Sequence, residues 1–301
     1  MEKSESMDIQ QLLYFRTLAE TEHMTQSAEK LLISQSALSR SIARLEDELG
    51  VPLFERQGRA IHLNAYGVIF LRRVEKIIQE YVEAKQEIQD LIQPHTGTIS
   101  LGFLHTLSTN IIPDMISQFR DSYPETHFRL SQGASHVMLE QLYNGQIDLC
   151  FIAPNEKDDQ VGWMKLWEEE LFAVVPKNHR LAKKKSITLE ELKYEPIIHL
   201  KKGYSLRETV EGLFLDAGLT PKITFEGDEA DTVAGLVAAE LGVSVLPDLK
   251  GINKSKIIQI PISRPHCFRM IGIAWLESRY MSPITKTFKK FVTDQYISSG
   301  W

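Results

Sequence analysis

Cysteine is scarce in this 301-residue sequence: Cys150 and Cys267 are the two present, and neither stands in a CxxC pair. That excludes a disulfide framework, and a reducing cytoplasm is the expected home. Long apolar runs are missing too. The longest, residues 233–247, contains Glu240 and falls short of the ~20 apolar residues that a membrane-spanning helix needs. No apolar run follows a basic cluster near Met1, so no signal peptide and no membrane partner are expected. The polar stretch before Met7 is expected to add nothing to the fold. GxSxG, P-loop and HExxH patterns do not occur, and the nine histidines are scattered. No catalytic residue, metal site or cofactor is therefore expected, and an enzyme is disfavoured.

Positive charge is also in short supply. The net charge is −6, and residues 1–64 hold seven Lys/Arg against ten Asp/Glu, a balance of 7 − 10 = −3. Nucleic-acid-binding proteins usually carry a basic balance. If this one binds DNA, the cations must be gathered on one face and repeated by a second copy.

What is present is a soluble globular composition, 43% hydrophobic and 25% charged, in a chain long enough for a small module and a larger domain. Residues 9–49 read as helical throughout. In the first helix Ile9, Leu12, Leu13, Phe15 and Leu18 form an apolar stripe. The second is predicted to start near Thr25 as N-cap and to bury Ala28, Leu31 and Leu32. The third, residues 34–48, takes Ser34 as N-cap. Its Leu38, Ile42, Leu45 and Leu49 fall on one side, with Ser36, Arg40, Ala43 and Arg44 opposite. Alone, such a helix reads more readily as a surface helix with a solvated polar face. Two short neighbouring helices joined by tight turns favour a helix-turn-helix. Gln35 and Ser36 would then sit in the first turn, where recognition helices meet base edges, with Ser39 and Arg40 one turn on. Residues 51–64, with Gly50, Pro52 and Gly58 as punctuation, read as a small wing whose Arg56 and Arg59 can bind phosphates.

Residues 65–93 are predicted as one long helix, stopped by Pro94. Phe70, Val74, Ile77, Tyr81, Ala84, Ile88 and Leu91 repeat at spacings of four and three, a heptad stripe suited to a two-helix dimer seam. After His95 the texture changes. β-like runs at 98–104, 127–131, 149–153, 171–176, 197–200, 243–247 and 270–275 alternate with helical patterns, which predicts an α/β domain with a mainly parallel sheet. In such sheets ligands bind beyond the carboxyl ends of strands. Small hydroxyl residues cluster there: Thr106, Ser108 and Thr109 after the first run and Ser135 after the second. Helix capping is the commoner role for a Ser or Thr so placed, and the two roles can coexist. The basic loop 200–207, with Lys201, Lys202, Tyr204 and Arg207, can complete an anion site or remain solvated.

The register of the first sixty residues is more specific than any one motif. Phe15, Ala19-Glu20, Ser27-Ala28-Glu29, Leu31, Ser34-Gln35-Ser36-Ala37-Leu38-Ser39, Ile42, Leu45-Glu46, Leu49-Gly50, Leu53-Phe54-Glu55-Arg56 and Gly67 together resemble the N-terminal domain of LysR-type transcriptional regulators. The resemblance runs on through the chain, in particular to Gram-positive members such as the regulator of glutamate synthase. Ser36 stands where many members have Pro. The resemblance implies a winged helix-turn-helix (7–64), a linker and dimerisation helix (65–93) and a two-lobed, periplasmic-binding-protein-like α/β effector domain. Its lobes are expected at 94–166 with 268–301, and at 167–267. It also implies an interrupted inverted repeat in double-stranded DNA as target, read by Thr25, Ser34, Gln35, Ser36, Ser39, Arg40, Arg44, Arg56 and Arg59. A dimer or tetramer, and RNA polymerase as a further partner, follow from it. Thr106 and Ser135 match the positions from which members hold an effector, here expected to be a carboxylate-type metabolite. Two other readings remain: a free-standing solute-binding protein, and a redox sensor using Cys150 and Cys267.

Overall fold

Asp8 accepts a hydrogen bond from the Gln11 N–H at 2.7 Å while the Gln11 side chain returns to the Asp8 N–H, a capping box that opens helix α1 (Ile9–Thr21). The computed structural model describes residues 7–57, 60–92, 96–154, 158–249 and 255–298. Its contacts divide the chain into one unit that ends at Gln89 and a second that begins at Asp90.

In the first unit α1 is followed by α2 (Met24–Lys30), α3 (Gln35–Leu49), the antiparallel pair β1 (Phe54–Gln57) and β2 (Ala60–Leu63), and α4 (Ala65–Ile92). Its core gathers Leu12, Phe15, Leu18, Ala28, Leu38, Ile42, Leu45 and Leu53. Phe15 lies 5.5 Å from the Phe54 ring and 5.1 Å from the Phe70 ring, tying α1 to the wing and to α4. Glu46 holds the wing against α3: its carboxylate accepts from the Leu53 N–H at 2.7 Å and the Phe54 N–H at 3.2 Å. Gly67 is required by close approach, because a Cβ there would overlap the Leu53 carbonyl oxygen.

Three sequence expectations change in this unit. The N-cap of α2 is His23, whose ring accepts from the Gln26 N–H at 3.3 Å; Thr25 lies inside the first turn. Leu32 is not buried: it is 92% exposed with φ 56°, because the left-handed turn that redirects the chain toward α3 aims its side chain outward. The heptad stripe is divided. Val74 is fully buried and Phe70 packs beside it in the reading unit's own core, together with Ile78. Ile77, Tyr81, Ala84 and Ile88 are exposed, beside and beyond Val74 and Ile78 along the helix. The reading unit's core covers only part of the apolar stripe, which spacing alone does not reveal. The Leu91 side chain lies outside the described residues.

The second unit is a mixed, not mainly parallel, sheet. Its elements in order are β3 (Gly97–Phe103), α5 (Ile111–Ser122), β4 (Thr126–Gln132), α6 (Ser135–Tyr143), β5 (Leu149–Ile152), β6 (Val161–Pro176), β7 (Ile187–Thr188), β8 (Pro196–Leu200), α7 (Ser205–Asp216), β9 (Lys222–Gly227), α8 (Ala230–Ala238), β10 (Ser244–Pro247), β11 (Ile257–Arg264), β12 (Phe268–Leu276) and α9 (Pro283–Ser298). The main sheet runs β4-β3-β5-β12-β6-β11-β7, with β10 also on β6; β8 and β9 pair separately. Strands β3, β4 and β5 are parallel, whereas β5, β12 and β6 pair antiparallel. Two cores result. One gathers residues of β3, α5, α6, β5 and α9; the other gathers those of α7, α8, β8, β10, β11 and the second half of β6. The long strand β6 and its antiparallel partner β12 run from one lobe to the other, with Phe268, Arg269 and Met270 opposite Glu170, Glu169 and Glu168 at the crossing. Among the described residues no helix is long and apolar enough to cross a membrane.

Candidate nucleic-acid interface and effector cleft

Ser34 caps α3 by accepting from the Ala37 N–H at 3.2 Å, and Gly50 ends the helix with φ 71°. Leu38, Ile42 and Leu45 fill the inner side. Gln35, Ser36, Ser39, Arg40 and Arg44 are all exposed on the outer side. The first turn therefore presents an amide, a hydroxyl and the positive end of the helix dipole outward, with a second hydroxyl and a guanidinium one turn later. Thr25 stands beside this face, its hydroxyl 3.5 Å from the Gln35 side-chain oxygen. Arg59 and the Arg56 side chain lie outside the described residues. His62 on β2 bonds Glu22 at 2.8 Å, joining the wing to the left-handed C-cap of α1.

In the second unit four helix starts meet between the lobes. A short 3-10 turn, His105–Leu107, follows β3; α6 follows β4; α7 follows β8; α8 follows β9. None of the four has a side-chain cap hydrogen bond, and residues at all four starts line one narrow space. The lobes touch across it. Ser135 donates to Ser205 at 3.1 Å, His136 Nδ1 lies 3.1 Å from the Gly203 carbonyl oxygen, and His105 Nδ1 is 3.6 Å from Glu229.

The centre is Arg269. Its guanidinium donates to Thr106 Oγ1 at 2.6 Å and to Glu169 at 2.5 Å, and its side chain is 2% exposed. A buried cation of this kind needs a carboxylate partner, and Glu169, itself 16% exposed, supplies it from the facing strand. On one side of Arg269 the space beside Thr106 is only about 30 Å³, roughly one water. On the other, a cavity of about 250 Å³ is bounded by Pro154, Ser205, Glu208, Phe268 and Met270.

The expected effector residues separate into two groups. Thr106 and Tyr204 line the narrow space with Arg269, Ser135 bonds its neighbour Ser205, and Ser108 and Thr109 border a pocket of about 70 Å³ alongside. Ser108 also fills the alternative role, donating to the His105 carbonyl at 2.7 Å. The cations of the basic loop do not converge with them. Lys201 is paired with Asp228 at 2.8 Å, and that hydrogen bond holds its ammonium above the ordinary value. Lys202 is exposed and lines neither space beside Arg269. Arg207 is a correction: it turns into its own lobe, where it is bonded to Glu226, to Glu211 at 2.8 Å and to the Leu200 carbonyl at 2.9 Å. Sequence reasoning missed Arg269 and Glu169. The available signal was an acidic run, Glu168-Glu169-Glu170, interrupting an apolar strand. The redox reading loses support, because burial pushes the Cys150 thiol up to about 12 and the Cys267 thiol up to about 11, leaving both protonated at neutral pH.

Comparison with known proteins gives two matches that together span most of the chain. Residues 9–68 match the bacterial regulatory helix-turn-helix protein, lysR family, and residues 93–296 match the LysR substrate binding domain. The uncharacterized HTH-type transcriptional regulator YybE of Bacillus subtilis (strain 168) is 54% identical over 290 residues, covering 96% of this chain and 99% of that one. The transcriptional dual regulator GltC of the same organism is 37% identical over 290 residues, covering 95% and 96%. The effector binding domain of QuiR in complex with shikimate superposes with a TM-score of 0.66 at 28% identity, over 68% of this chain and all (100%) of that one.

Proposed function

The chain belongs to the LysR family, as a DNA-binding transcriptional regulator with an effector-binding domain and not an enzyme, and on that premise we propose how its two units act. In the cytoplasm a homo-oligomer, dimer or tetramer, reads an interrupted inverted repeat in double-stranded DNA. Gln35, Ser36, Ser39 and Arg40 contact base edges, while Thr25, Ser34, Arg44, Arg56 and Arg59 contact the backbone. Copies pair through the exposed stripe Ile77, Tyr81, Ala84 and Ile88. Replacing Ile77 by Asp places a charge in that seam. Native mass should fall to the monomer and operator affinity at least about tenfold; an unchanged mass would remove the stripe from the interface.

An anionic, carboxylate-type metabolite binds between the lobes and sets the outcome at RNA polymerase. The observation that carries this is the buried Arg269 beside Thr106, where four uncapped helix starts converge. An arriving carboxylate replaces Glu169 as the partner of Arg269 and takes hydrogen bonds from Thr106 and Ser135. With only about 30 Å³ free beside Thr106, the lobes must part or the ligand must come through the larger space behind Arg269. Binding changes the population of lobe arrangements by its differential affinity for them. The double variant Thr106→Ala with Ser135→Ala should keep operator binding and lose its response to carboxylic acids. The probe is fluorescence anisotropy of an operator duplex titrated with succinate, glutamate, 2-oxoglutarate and shikimate. A response preserved in the double variant would move the site elsewhere.

A further inference from the structure

Away from the cleft, the end of β12, the loop after it and the outer face of α9 enclose a groove of about 480 Å³, within the size range of small-molecule sites. Four cations line it, Arg279, Lys286, Lys289 and Lys290, against one carboxylate, Glu277, in a chain whose net charge is −6. The lysines stand three and four residues apart on α9, on one face, where like charges repel unless an anion lies between them. Two of them rest on aromatic rings. Lys289 Nζ is 3.0 Å from the centre of the Trp275 ring and Lys286 Nζ is 5.7 Å from that of Tyr280. Arg279 is fixed at the rim, donating to the Leu142 carbonyl at 3.0 Å. Burial holds the Lys289 ammonium below its ordinary value, a cost that a bound anion would offset.

These features select a ligand class. Ammonium groups are compact point charges with rotatable donors, suited to the tetrahedral oxygens of a phosphate. When they swing to such an anion they uncover the indole and phenol faces, which accept a planar ring. We propose that this groove is a second ligand site of the effector domain, taking a nucleoside monophosphate, with its phosphate across Lys286, Lys289 and Lys290 and its base against Trp275 or Tyr280.

Calorimetry on the full-length protein with AMP, adenosine and inorganic phosphate tests this. AMP should bind more tightly than either fragment. Lys286→Glu with Lys290→Glu, both at exposed positions, should weaken AMP at least about tenfold and leave operator affinity without AMP unchanged. Trp275→Leu, a second and independent change, should weaken AMP but not inorganic phosphate. No heat at millimolar AMP, AMP binding no tighter than inorganic phosphate, or an affinity unchanged in the lysine variant would each overturn the proposal.

Discussion

The two units treat their polar side chains in opposite ways. On α3 the groups proposed to read DNA are held out: Gln35, Ser36, Ser39 and Arg40 are exposed, while the apolar inner face, the Ser34 cap and Glu46 fix the helix beneath them. In the effector cleft the central group is held in: Arg269 is buried and already bonded to Glu169 and Thr106. A surface that reads DNA keeps its donors hydrated until base edges replace the water. On the proposed reading, the cleft keeps its cation satisfied by an internal carboxylate until a ligand's carboxylate displaces it. On that reading fold and function are separable on α3 and coupled at Arg269.

The largest expected effect breaks that coupling. Arg269→Met leaves Glu169 buried without its cation and should lower the stability of the effector unit by about 3–5 kcal/mol, measured by urea unfolding. Adding Glu169→Gln should restore most of it; if the single variant is as stable as the parent, the ion pair does not hold the crossing of β6 and β12 together.

Next comes a buried histidine of the same unit. His199 is 3% exposed, its Nδ1 accepts from the Leu200 N–H at 2.8 Å, and its Nε2 has no partner. Burial, aided by the charge of Arg207, pulls its pKa from 6.5 down to about 4. Above pH 6.5 folded and unfolded chains both hold it neutral, and the contribution to stability is complete. As the pH falls from 6.5 to about 4 the unfolded chain takes up a proton that the folded chain refuses. Stability should fall by up to about 3 kcal/mol across that window. His199→Gln should flatten the fall, and an identical pH profile in that variant would assign it to other groups.

The smallest effect lies in the reading unit. Arg40→Ala should change thermal stability by no more than about 0.5 kcal/mol while costing about 1–3 kcal/mol in operator affinity. A large loss of stability would show that the outer face of α3 is structural after all, and erase the contrast between the two units.

The same contrast governs how much was legible beforehand. The recognition helix announces itself locally: Leu38, Ile42 and Leu45 are neighbours in sequence, Ser34 is a local cap, and Glu46 reaches backbone only seven or eight residues on. The two-lobed design was also readable, from alternation and from the family register. Arg269 was not, because its partners Glu169 and Thr106 lie 100 and 163 positions away. Thr106 and Ser135 were named from the sequence as effector contacts, and Arg207 with them, but sequence does not reveal that Arg207 turns inward to Glu226. Strand β9 was missed because its residues are mostly exposed and carry no apolar run. The first half of β6 was missed because Lys165 and the run Glu168-Glu169-Glu170 interrupt its apolar residues. Leu32 misled because a left-handed backbone, not hydrophobicity, decides where it points.

The central claim is that Arg269, held by Glu169 between the lobes, is the group through which an anionic effector acts on DNA binding. Operator affinity measured with and without each carboxylic acid, for the parent protein and for Arg269→Gln with Glu169→Gln, tests it most directly. The account predicts that at least one acid shifts the parent's affinity and that the shift vanishes in the double variant, whose affinity without ligand is unchanged. The same shift in both proteins would contradict it.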